Sequence, residues 1–490
     1  MSSRHSGVMS GVPVEFAPRH ARGRGRRPPA MCRRLFALNR WTGVCPMART
    51  SFDTKGKRSV DPACPYLLVC AGCDWRSSDD GLCMSCPRCG DDTLLRTEYM
   101  AKQFTVAPEK SGIFRYGWLP VRREIDGSSR PVVYRSEGLG RALGLTDLWI
   151  SFSGYWPERG CRMVSGSFKE LEAFAVLGRT PQRSGVMVVA SAGNTAAAFA
   201  AAGGEGVPRL LLVPGQALPV VLAAAGGPST DLQVVAVEDA TYNDVIGFSR
   251  KVVASAPEFF AEGGVRNVGR RDGLGVVALA AFEEMGTLPE FYFQAVGSGA
   301  GAIATHEACE RIIASGSADG QSVPRMLLCQ NADYPPLSRA WKREPELGDA
   351  EAPLDLYAPE LANATPPYLV DGGVRDILRS SAGDMLVADR TEAAAARAMF
   401  EELEGIDIEP APAVAVAALR DAVRAKLLPP DAKCLLNVTG GGRKKLGTDT
   451  TAGEPRVWLV KKTDSPDEVA ARVLDAFASG NRPHTLAPAG

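Results

Sequence analysis

Lys169 is the side chain in this sequence best placed for covalent chemistry. It lies between Ser167 and Glu170, which have the spacing of a helix capping box, and apolar residues recur behind them at helical spacing up to Gly178. A helix that starts at Ser167 puts the lysine in its first turn, where the helix dipole and the unpaired amides disfavour a second positive charge. Such a lysine is a nucleophile that typically forms a Schiff base with an aldehyde cofactor or a carbonyl substrate. An exposed first-turn lysine without chemistry is the alternative, so the choice depends on other stretches.

A glycine-rich turn between a strand and a helix is the second candidate. The predicted strand is Phe291–Val296, the predicted helix is 302–313, and the turn consists of Gly297, Ser298, Gly299, Ala300 and Gly301. Glycines at such a turn let several amide hydrogens point at one spot with the helix dipole behind them, which predicts a phosphate cradle. The spacing is not the dinucleotide fingerprint. An ordinary glycine turn is the alternative.

Two further strand ends carry polar groups. The apolar run Val186–Ala190 predicts a strand buried on both faces, and it is followed by Ser191, Ala192, Gly193, Asn194 and Thr195. The run Cys434–Val438 predicts a second buried strand, and it ends in Thr439 and three glycines. A hydroxyl with glycines beside it suits a hydrogen bond to a flat ring, whereas the alternative is again a plain turn.

These stretches belong to a chain in which strands and helices alternate. Further predicted strands share the same apolar composition: Pro131–Tyr134, Leu148–Phe152, Arg209–Val213 and Gln233–Val237. This order predicts an α/β fold with open, mostly parallel sheets flanked by helices. Ligands in such sheets bind at the carboxyl ends of the strands, where all three polar turns lie.

Four cysteines form two CxxC pairs separated by twelve residues: Cys70, Cys73, Cys86 and Cys89. This spacing presents four thiolates tetrahedrally and predicts a structural zinc site with no open position for substrate. Cys64 and Cys83 lie nearby and leave the ligand set open. Unligated thiols are the alternative, although so short a segment folds poorly without a metal.

Composition excludes several classes of protein. The chain has 490 residues, 45% hydrophobic and 23% charged content, and a formal net charge of zero, which argues against a nucleic-acid partner. No apolar run of about 18 residues occurs, so we expect no membrane-spanning segment. Twelve cysteines without a secretory signal indicate a reducing compartment, and we expect a cytoplasmic protein. Residues 1–60 are rich in arginine and predict a disordered basic arm. A transit peptide, or a gene model that begins upstream of the true start codon, would explain the same composition.

Taken together, the motifs resemble the pyridoxal-phosphate enzymes of the tryptophan synthase β and threonine synthase fold, known as fold type II. Within that family they are similar to the cysteate synthases, in the stretches Phe152–Gly160, Ser167–Ala173, Ala190–Thr195, Gly269–Gly273, Tyr292–Gly299 and Asn437–Gly442. The resemblance covers roughly Cys70 to Gly442. Glu170 stands where threonine synthases usually carry aspartate, which favours the cysteate synthase branch.

The resemblance implies roles for the site residues. Lys169 would hold pyridoxal 5'-phosphate and then act as base at Cα of the substrate, and Asn194 would bind the ring hydroxyl. Thr439 would face the ring nitrogen. The turn from Gly297 to Gly301 would bind the cofactor phosphate. The substrate carboxylate would be received by the loop residues Ser191, Ala192, Gly193 and Thr195.

The implied reaction is β-replacement: O-phospho-L-serine and sulfite give L-cysteate and phosphate. Two anions then need cations near Cβ, and the candidates are Arg159, Arg270 and Arg271, with a structural ion pair as the alternative for each. Rival hypotheses are threonine synthase acting on O-phosphohomoserine, another nucleophile, and a zinc-ribbon interaction protein on a degenerate enzyme fold. His306 is expected to be structural. Partners are expected to be small molecules, and the fold family implies a homo-oligomer.

We therefore predict four segments. Residues 1–60 form the arm, 61–95 a zinc-ribbon-like segment, and 96–446 the catalytic region, with a smaller subdomain inserted at roughly 150–285. Residues 447–490 form a tail with a helix.

Overall fold

The structure, a computed structural model, describes residues 64–203, 206–226, 229–344, 355–363, 366–450 and 455–479. The predicted basic arm lies outside these ranges. Within them, sixteen strands follow one another: β1 (Tyr66–Cys70), β2 (Arg76–Ser77), β3 (Leu95–Tyr99), β4 (Val132–Arg135), β5 (Leu148–Phe152), β6 (Tyr155–Trp156), β7 (Cys161–Arg162), β8 (Val186–Ala190), β9 (Arg209–Pro214), β10 (Leu232–Glu238), β11 (Phe259–Ala261), β12 (Phe291–Ala295), β13 (Arg325–Asn331), β14 (Asp384–Ala388), β15 (Cys434–Val438) and β16 (Arg456–Lys461).

The same ranges hold thirteen α-helices: α1 (Gly138–Leu143), α2 (Lys169–Arg179), α3 (Asn194–Ala201), α4 (Leu218–Ala224), α5 (Tyr242–Ser255), α6 (Val268–Met285), α7 (Ala300–Ala314), α8 (Pro336–Lys342), α9 (Val374–Ser380), α10 (Arg390–Glu404), α11 (Pro410–Arg424), α12 (Arg443–Asp449) and α13 (Pro466–Ser479). Among the helices described, none is both long enough and apolar enough to cross a membrane.

A six-stranded sheet forms the larger layer. Its order is β14-β13-β12-β15-β5-β4, and every pair is parallel except the edge pair of β4 with β5. The predicted strands β5 and β15 have the bounds expected from their apolar runs. Both β12 and β15 end on the same edge of this sheet, so the cradle turn and the Thr439 turn are neighbours.

A five-stranded parallel sheet forms the smaller layer, in the order β11-β8-β9-β10-β16. Four of its strands come from the middle of the chain, whereas β16 comes from the segment expected to be a tail with a helix. The helix is present as α13, but β16 was not predicted, because its pairing with β10 joins residues far apart in sequence. The two mostly parallel sheets confirm the predicted α/β class.

Side chains alternate between two cores along the smaller sheet. Val186 and Val188 on β8 belong to a separate cluster with residues of α5 and α13, whereas Met187 and Val189 belong to the main core. This is the two-residue period of a strand covered on both faces. The smaller sheet is thereby anchored to the larger one through every second residue.

Helix α6 is the central packing element. Its residues from Val268 to Phe282 are buried, and it lies against both α2 and α7. A Cβ added at Gly273 would lie 2.4 Å from the carbonyl oxygen of Leu171 on α2, so only glycine permits this approach. The position of α2, and hence of Lys169 at its start, depends on this contact.

A small antiparallel sheet, β2-β1-β3, carries the cysteine pairs. Its neighbouring loop pairs with a distant segment: the amide of Leu94 donates to the carbonyl of Asp371, and the amide of Asp371 donates to Asp92, both at 3.0 Å. The cysteine-bearing segment is therefore joined to the loop that leads into α9.

Candidate active site

Lys169 is the first residue of α2, and the capping box expected at Ser167 is wrong. The hydroxyl of Ser167 has no hydrogen-bond partner among the described residues, and the carboxylate of Glu170 accepts the amide of Ser165 instead. The cause is a long-range pairing: Ser167 forms a β-bridge with Gly440, and the amide of Phe168 donates to Thr439 at 2.9 Å. The turn before α2 is thus held by the Thr439 turn and not by its own side chains.

The amine of Lys169 contacts one carboxylate. Its Nζ lies 3.2 Å from Oε2 of Glu172 and 4.8 Å from the ring centroid of Phe168. Burial lowers the pKa of Lys169 below its usual value, and Arg270 lowers it further, although Glu172 acts in the opposite direction. The site therefore favours the neutral, nucleophilic amine more than a helix start alone would.

Glu172 connects the lysine to two other predicted residues. Its Oε1 accepts Nη1 of Arg270 at 2.7 Å and the hydroxyl of Thr195 at 3.0 Å. Arg270 also binds both carboxylate oxygens of Glu262, with its Nε at 3.0 Å from Oε1. Arg270 thus lies beside Lys169, but its guanidinium is occupied by two carboxylates.

Arg271 lies elsewhere. Its guanidinium is buried and binds Glu307 and the backbone carbonyls of Val265 and Leu95. These contacts join α6 to α7 and β3, which is the structural ion pair considered as the alternative for this residue. His306, on α7, is buried and contacts Ser380 at 2.8 Å, in agreement with a structural role.

The loop from Ser191 to Thr195 leads from β8 into α3. The hydroxyl of Ser191 accepts the amides of Gly193 at 3.0 Å and Ala196 at 3.1 Å, so it shapes its own loop. Gly193 has a φ of 144°, and Ala192 lies between these residues with partial exposure. Asn194 and Thr195 are the first residues of α3: the side-chain nitrogen of Asn194 donates to Glu409, and the hydroxyl of Thr195 donates to Glu172 on α2.

The glycine turn that begins α7 lies directly against the lysine loop, which is the segment Gly166–Phe168 that leads into α2. A Cβ on Gly301 would lie 2.9 Å from the ring of Phe168 and 2.6 Å from the amide nitrogen of Gln294. A Cβ on Gly299, which has a φ of 79°, would lie 2.4 Å from Val374 on α9. A side chain is therefore excluded at positions 299 and 301, and the backbone amides of the first turn of the 15-residue helix α7 face the space that remains. Gly297, Ser298 and Ala300 complete the turn, with the Ala300 amide 3.4 Å from the Ser298 hydroxyl.

The Thr439 turn is clamped between the lysine loop and the β6–β7 hairpin. The amide of Gly441 donates to Gly166 at 2.9 Å, and a Cβ on Gly442 would lie 2.0 Å from the carbonyl of Tyr155. Arg159 at the tip of this hairpin is exposed, and its guanidinium carbon lies 4.3 Å from the ring centroid of Tyr134 and 4.5 Å from that of Trp156. The hairpin therefore brings one aromatic-stacked cation to the edge of the site.

Sequence reasoning missed several acidic and basic groups of the site: Glu172, Glu262, Glu360, Glu409 and Arg443. Glu172 follows Lys169 at a three-residue helical interval, and this spacing was the one available signal. The others come from segments distant in sequence, and no local pattern marks them.

The four predicted metal ligands also come together. The sulfur atoms of Cys70, Cys73, Cys86 and Cys89 all lie within 4.8 Å of one another. The sulfurs of the two extra candidates turn instead toward backbone carbonyls, that of Cys64 toward Tyr66 and that of Cys83 toward Ser85. The four clustered thiols are the donor set that tetrahedral zinc prefers.

Comparison with known proteins extends over most of the chain. Residues 135–440 match the family described as pyridoxal-phosphate dependent enzyme. The cysteate synthase of Methanospirillum hungatei JF-1 is 42% identical over 84% of this chain and 98% of its own length. That of Methanococcoides burtonii is 42% identical over 85% of this chain and 99% of its own length.

Among solved structures, threonine synthase from Escherichia coli has a TM-score of 0.50 at 15% identity, and the match covers 68% of this chain and 79% of that one. At this identity the likeness concerns the fold alone.

Proposed function

The chain belongs to the family of pyridoxal-phosphate dependent enzymes, and we propose that it converts O-phospho-L-serine and sulfite to L-cysteate and phosphate. Cysteate synthases are its relatives along nearly their whole length, which supports this reaction over threonine synthesis. The observation that carries the proposal is that the glycine turn and the Thr439 turn, at one edge of the larger sheet, both meet the loop before Lys169. Asn194, which follows a strand of the smaller sheet, is linked to the Thr439 turn through Glu409.

The residues at this edge fit pyridoxal 5'-phosphate. The turn from Gly297 to Gly301 leaves space that a Cβ would fill, and the start of α7 offers unpaired amides to a phosphate group. Phe168 connects this turn to Lys169, and its amide connects the same loop to Thr439. When bound, the cofactor supplies a ring that withdraws electrons from Cα of an amino acid.

We assign the proton transfer at Cα to Lys169. Glu172 holds its amine from one side, and burial lowers the pKa of the amine below its usual value, which favours its role as the base that accepts and returns this proton. Thr439 would offer a neutral hydroxyl to the ring nitrogen. Asn194 would bind the ring hydroxyl, and the loop of Ser191, Ala192, Gly193 and Thr195 would receive the substrate carboxylate.

For the anions at Cβ we favour Arg159 over the other two arginines. Arg270 is held by Glu172 and Glu262, and Arg271 is held by Glu307 on the far side of α6. Arg159 is exposed and stacks on two rings, which leaves its N–H edge free to bind phosphate or sulfite oxygens in a bidentate way. Arg270 then acts indirectly, by fixing Glu172.

We propose a structural zinc at the four clustered cysteines, supported by their mutual distances and their spacing in sequence. A cytoplasmic location and a homo-oligomeric state are further proposals, which rest on cysteine usage and on the family.

Phosphate release and product mass test the reaction. Purified protein with pyridoxal phosphate is incubated with O-phospho-L-serine or O-phosphohomoserine, each with and without sulfite. Sulfite-dependent phosphate release from phosphoserine, together with a product of cysteate mass, is expected. Threonine formed from phosphohomoserine would favour threonine synthase, and product formed only with sulfide or an amine would identify a different nucleophile.

Lys169→Ala is the matched variant for this experiment. It should abolish both phosphate release and the borohydride-sensitive visible absorption band that a lysine-bound cofactor gives. A wild-type protein without such a band would contradict the enzyme assignment and leave the interaction protein as the better explanation.

A further inference from the structure

Two charged side chains hold both ends of the Asn194 amide. Its Nδ2 donates to Oε2 of Glu409 at 3.0 Å, and its Oδ1 lies 3.4 Å from Nη2 of Arg443. The same two side chains also pair with each other, with Nε of Arg443 at 2.6 Å from Oε1 of Glu409. The orientation of the amide is thereby fixed, and one N–H of Nδ2 remains to donate elsewhere.

Glu409 lies close to the Thr439 turn as well. A Cβ added at Gly440 would lie 2.6 Å from Oε2 of Glu409, and the amide of Glu409 donates to the carbonyl of Gly440 at 3.0 Å. The carboxylate stands at the first turn of α11 without capping it. It is therefore directed into the space between Asn194 and the glycine turn, where a ring faced by Asn194 and Thr439 would lie.

A second carboxyl group stands beside it. Glu360 accepts the amide of Ala411, two residues after Glu409, at 3.1 Å. The backbone carbonyl of Glu360 lies 3.1 Å from the position of a Cβ on Gly297. Glu360 thus bridges the cradle turn and the start of α11, although it lies 63 residues after Gly297 and 51 residues before Ala411 in sequence.

We propose that Glu409 orients Asn194 and, together with Glu360, sets the protonation state of the cofactor that Lys169 binds. The inference rests on the proposed function, because it requires pyridoxal phosphate at this lysine. Glu409 and Glu360 are positioning residues in this proposal. They act through Asn194 and through their charge.

The electrostatic argument gives the direction of the effect. The bound chromophore loses a proton as the pH rises and becomes more negative, and a neighbouring carboxylate opposes this loss. Burial, followed by the charge of Glu409, raises the pKa of Glu360 to about 7, against the smaller opposing effect of Arg443. Glu360 therefore adds its charge only as the pH passes through neutrality. Tyr357 also interacts with Glu360 and is itself held by Arg397, and Arg443 acts on the buried Glu170 as well as on Glu360.

A pH titration of the visible absorption band of the holoenzyme tests the inference. Glu409→Gln should lower the midpoint of the spectral change by about one pH unit or more, since a charge within about 4 to 6 Å of a titrating group shifts its pKa by about 1 to 3 units. Glu360→Gln should lower it by less, and only if the wild-type midpoint lies above neutrality. Glu409→Asp retains the charge and should return the midpoint toward the wild-type value, which a purely structural role would not predict.

Glu401→Gln is the matched control, because Glu401 pairs with Lys444 next to Arg443 but lies on the exposed side of α10. It should titrate as the wild type does. Identical midpoints in the wild type, Glu409→Gln and Glu360→Gln would overturn the inference while the band itself remains. If Glu409→Gln does not fold, Glu409→Asp provides the test, because it keeps the negative charge. A midpoint in Glu409→Asp that is a full pH unit below the wild-type value would then overturn the inference. Loss of the band from the wild type would instead count against the proposed function.

Discussion

At the scale of single residues, Glu172 joins three side chains that come from three elements. Its carboxylate is fully buried and binds Lys169 on its own helix, Thr195 on α3 and Arg270 on α6. A carboxylate shared in this way fixes the lysine amine relative to both layers of the site. It also replaces the water that a buried guanidinium would otherwise need.

Glu172→Gln should therefore destabilise the protein by about 3 kcal/mol, because it removes one partner of a buried ion pair and leaves Arg270 with Glu262 alone. Urea unfolding followed by tryptophan fluorescence measures the loss. Glu158→Gln is the control: Glu158 is exposed and pairs with Lys445, and because solvent screens an exposed pair, its removal should leave the free energy of unfolding close to that of the wild type. Equal effects of the two substitutions would contradict the role assigned to Glu172.

Glu170 gives a stability effect that depends on pH. Burial raises the pKa of Glu170 from 4.5 to about 7, against the lowering effect of the Ser165 hydrogen bonds and Arg443. The folded state therefore holds a proton that the unfolded state releases. The stabilisation from this group is full below pH 4.5 and is lost as the pH rises through about 7.

Glu170→Gln should remove this loss, so the variant gains about 3 kcal/mol relative to wild type between these two pH values, since one unit of pKa shift corresponds to about 1.4 kcal/mol. Unfolding free energies measured at several pH values give the difference curve. A flat curve would mean that Glu170 titrates normally in the folded protein.

At the scale of elements, the contact of α2 with α6 positions the lysine. Gly273 permits it, because a Cβ there would lie 2.4 Å from a backbone oxygen and 2.7 Å from the side chain of Ala175. A backbone atom cannot move aside as a flexible side chain can. Any side chain at position 273 must push α2, and Lys169 with it, away from α6.

Gly273→Ala should cost about 2 kcal/mol of stability, in the usual range for overpacking, and should weaken binding of pyridoxal phosphate. Gly247→Ala on α5 is the matched control, since a Cβ at Gly247 would have no neighbour within 4 Å among the residues that the structure describes, and alanine is the better helix former. That variant should be as stable as wild type or more so. Thermal unfolding measures the stability of both variants, and titration with pyridoxal phosphate measures their cofactor affinity. Equal stability and affinity of the two variants would contradict the role of Gly273.

The cysteine-bearing sheet is coupled to the cofactor cradle through a short path. The loop after the second cysteine pair bonds to Asp371, and Val374, three residues later, fills the space left by Gly299. A change in the cysteine cluster therefore reaches the cradle through one loop and one helix start.

If the cysteine cluster holds the proposed zinc, a chelator should lower the affinity for pyridoxal phosphate several-fold and loosen the cysteine-bearing segment, because a structural zinc contributes folding energy directly. Metal content by elemental analysis and cofactor titration before and after zinc is restored measure the effect. Cys86→Ser should reproduce the loss, whereas Cys64→Ser, outside the cluster, should leave the metal content unchanged. An unchanged cofactor affinity after metal removal would contradict the coupling between the cysteine cluster and the cofactor cradle.

At the scale of the whole molecule, the local features of the chain were the predictable ones. The strands β5, β8 and β15 and the polar turns after them were expected from apolar runs and glycines, because such signals lie within a few neighbouring residues. The resemblance to known enzymes then assigned the turns to one site. What sequence could not supply is pairing across long separations, such as Glu409 with Asn194 or Ser167 with Gly440. The capping box was wrongly predicted for the same reason: the residues at Ser167 and Glu170 have the right spacing, but the distant turn at Thr439 and Gly440 pairs with this segment instead.

The pairing of β10 with β16 has a consequence for co-translational folding. About 220 residues separate these strands, so at about 5 to 20 residues per second the edge of β10 waits roughly 10 to 45 s for its neighbour. During that time the nascent chain presents an apolar, unpaired strand edge, the kind of surface that invites pairing with another chain. A message truncated before codon 456 would leave this edge open permanently. We expect the truncated product to be a client of chaperones and proteases, even though the proposed lysine, cradle and ring-binding residues would all be present in it.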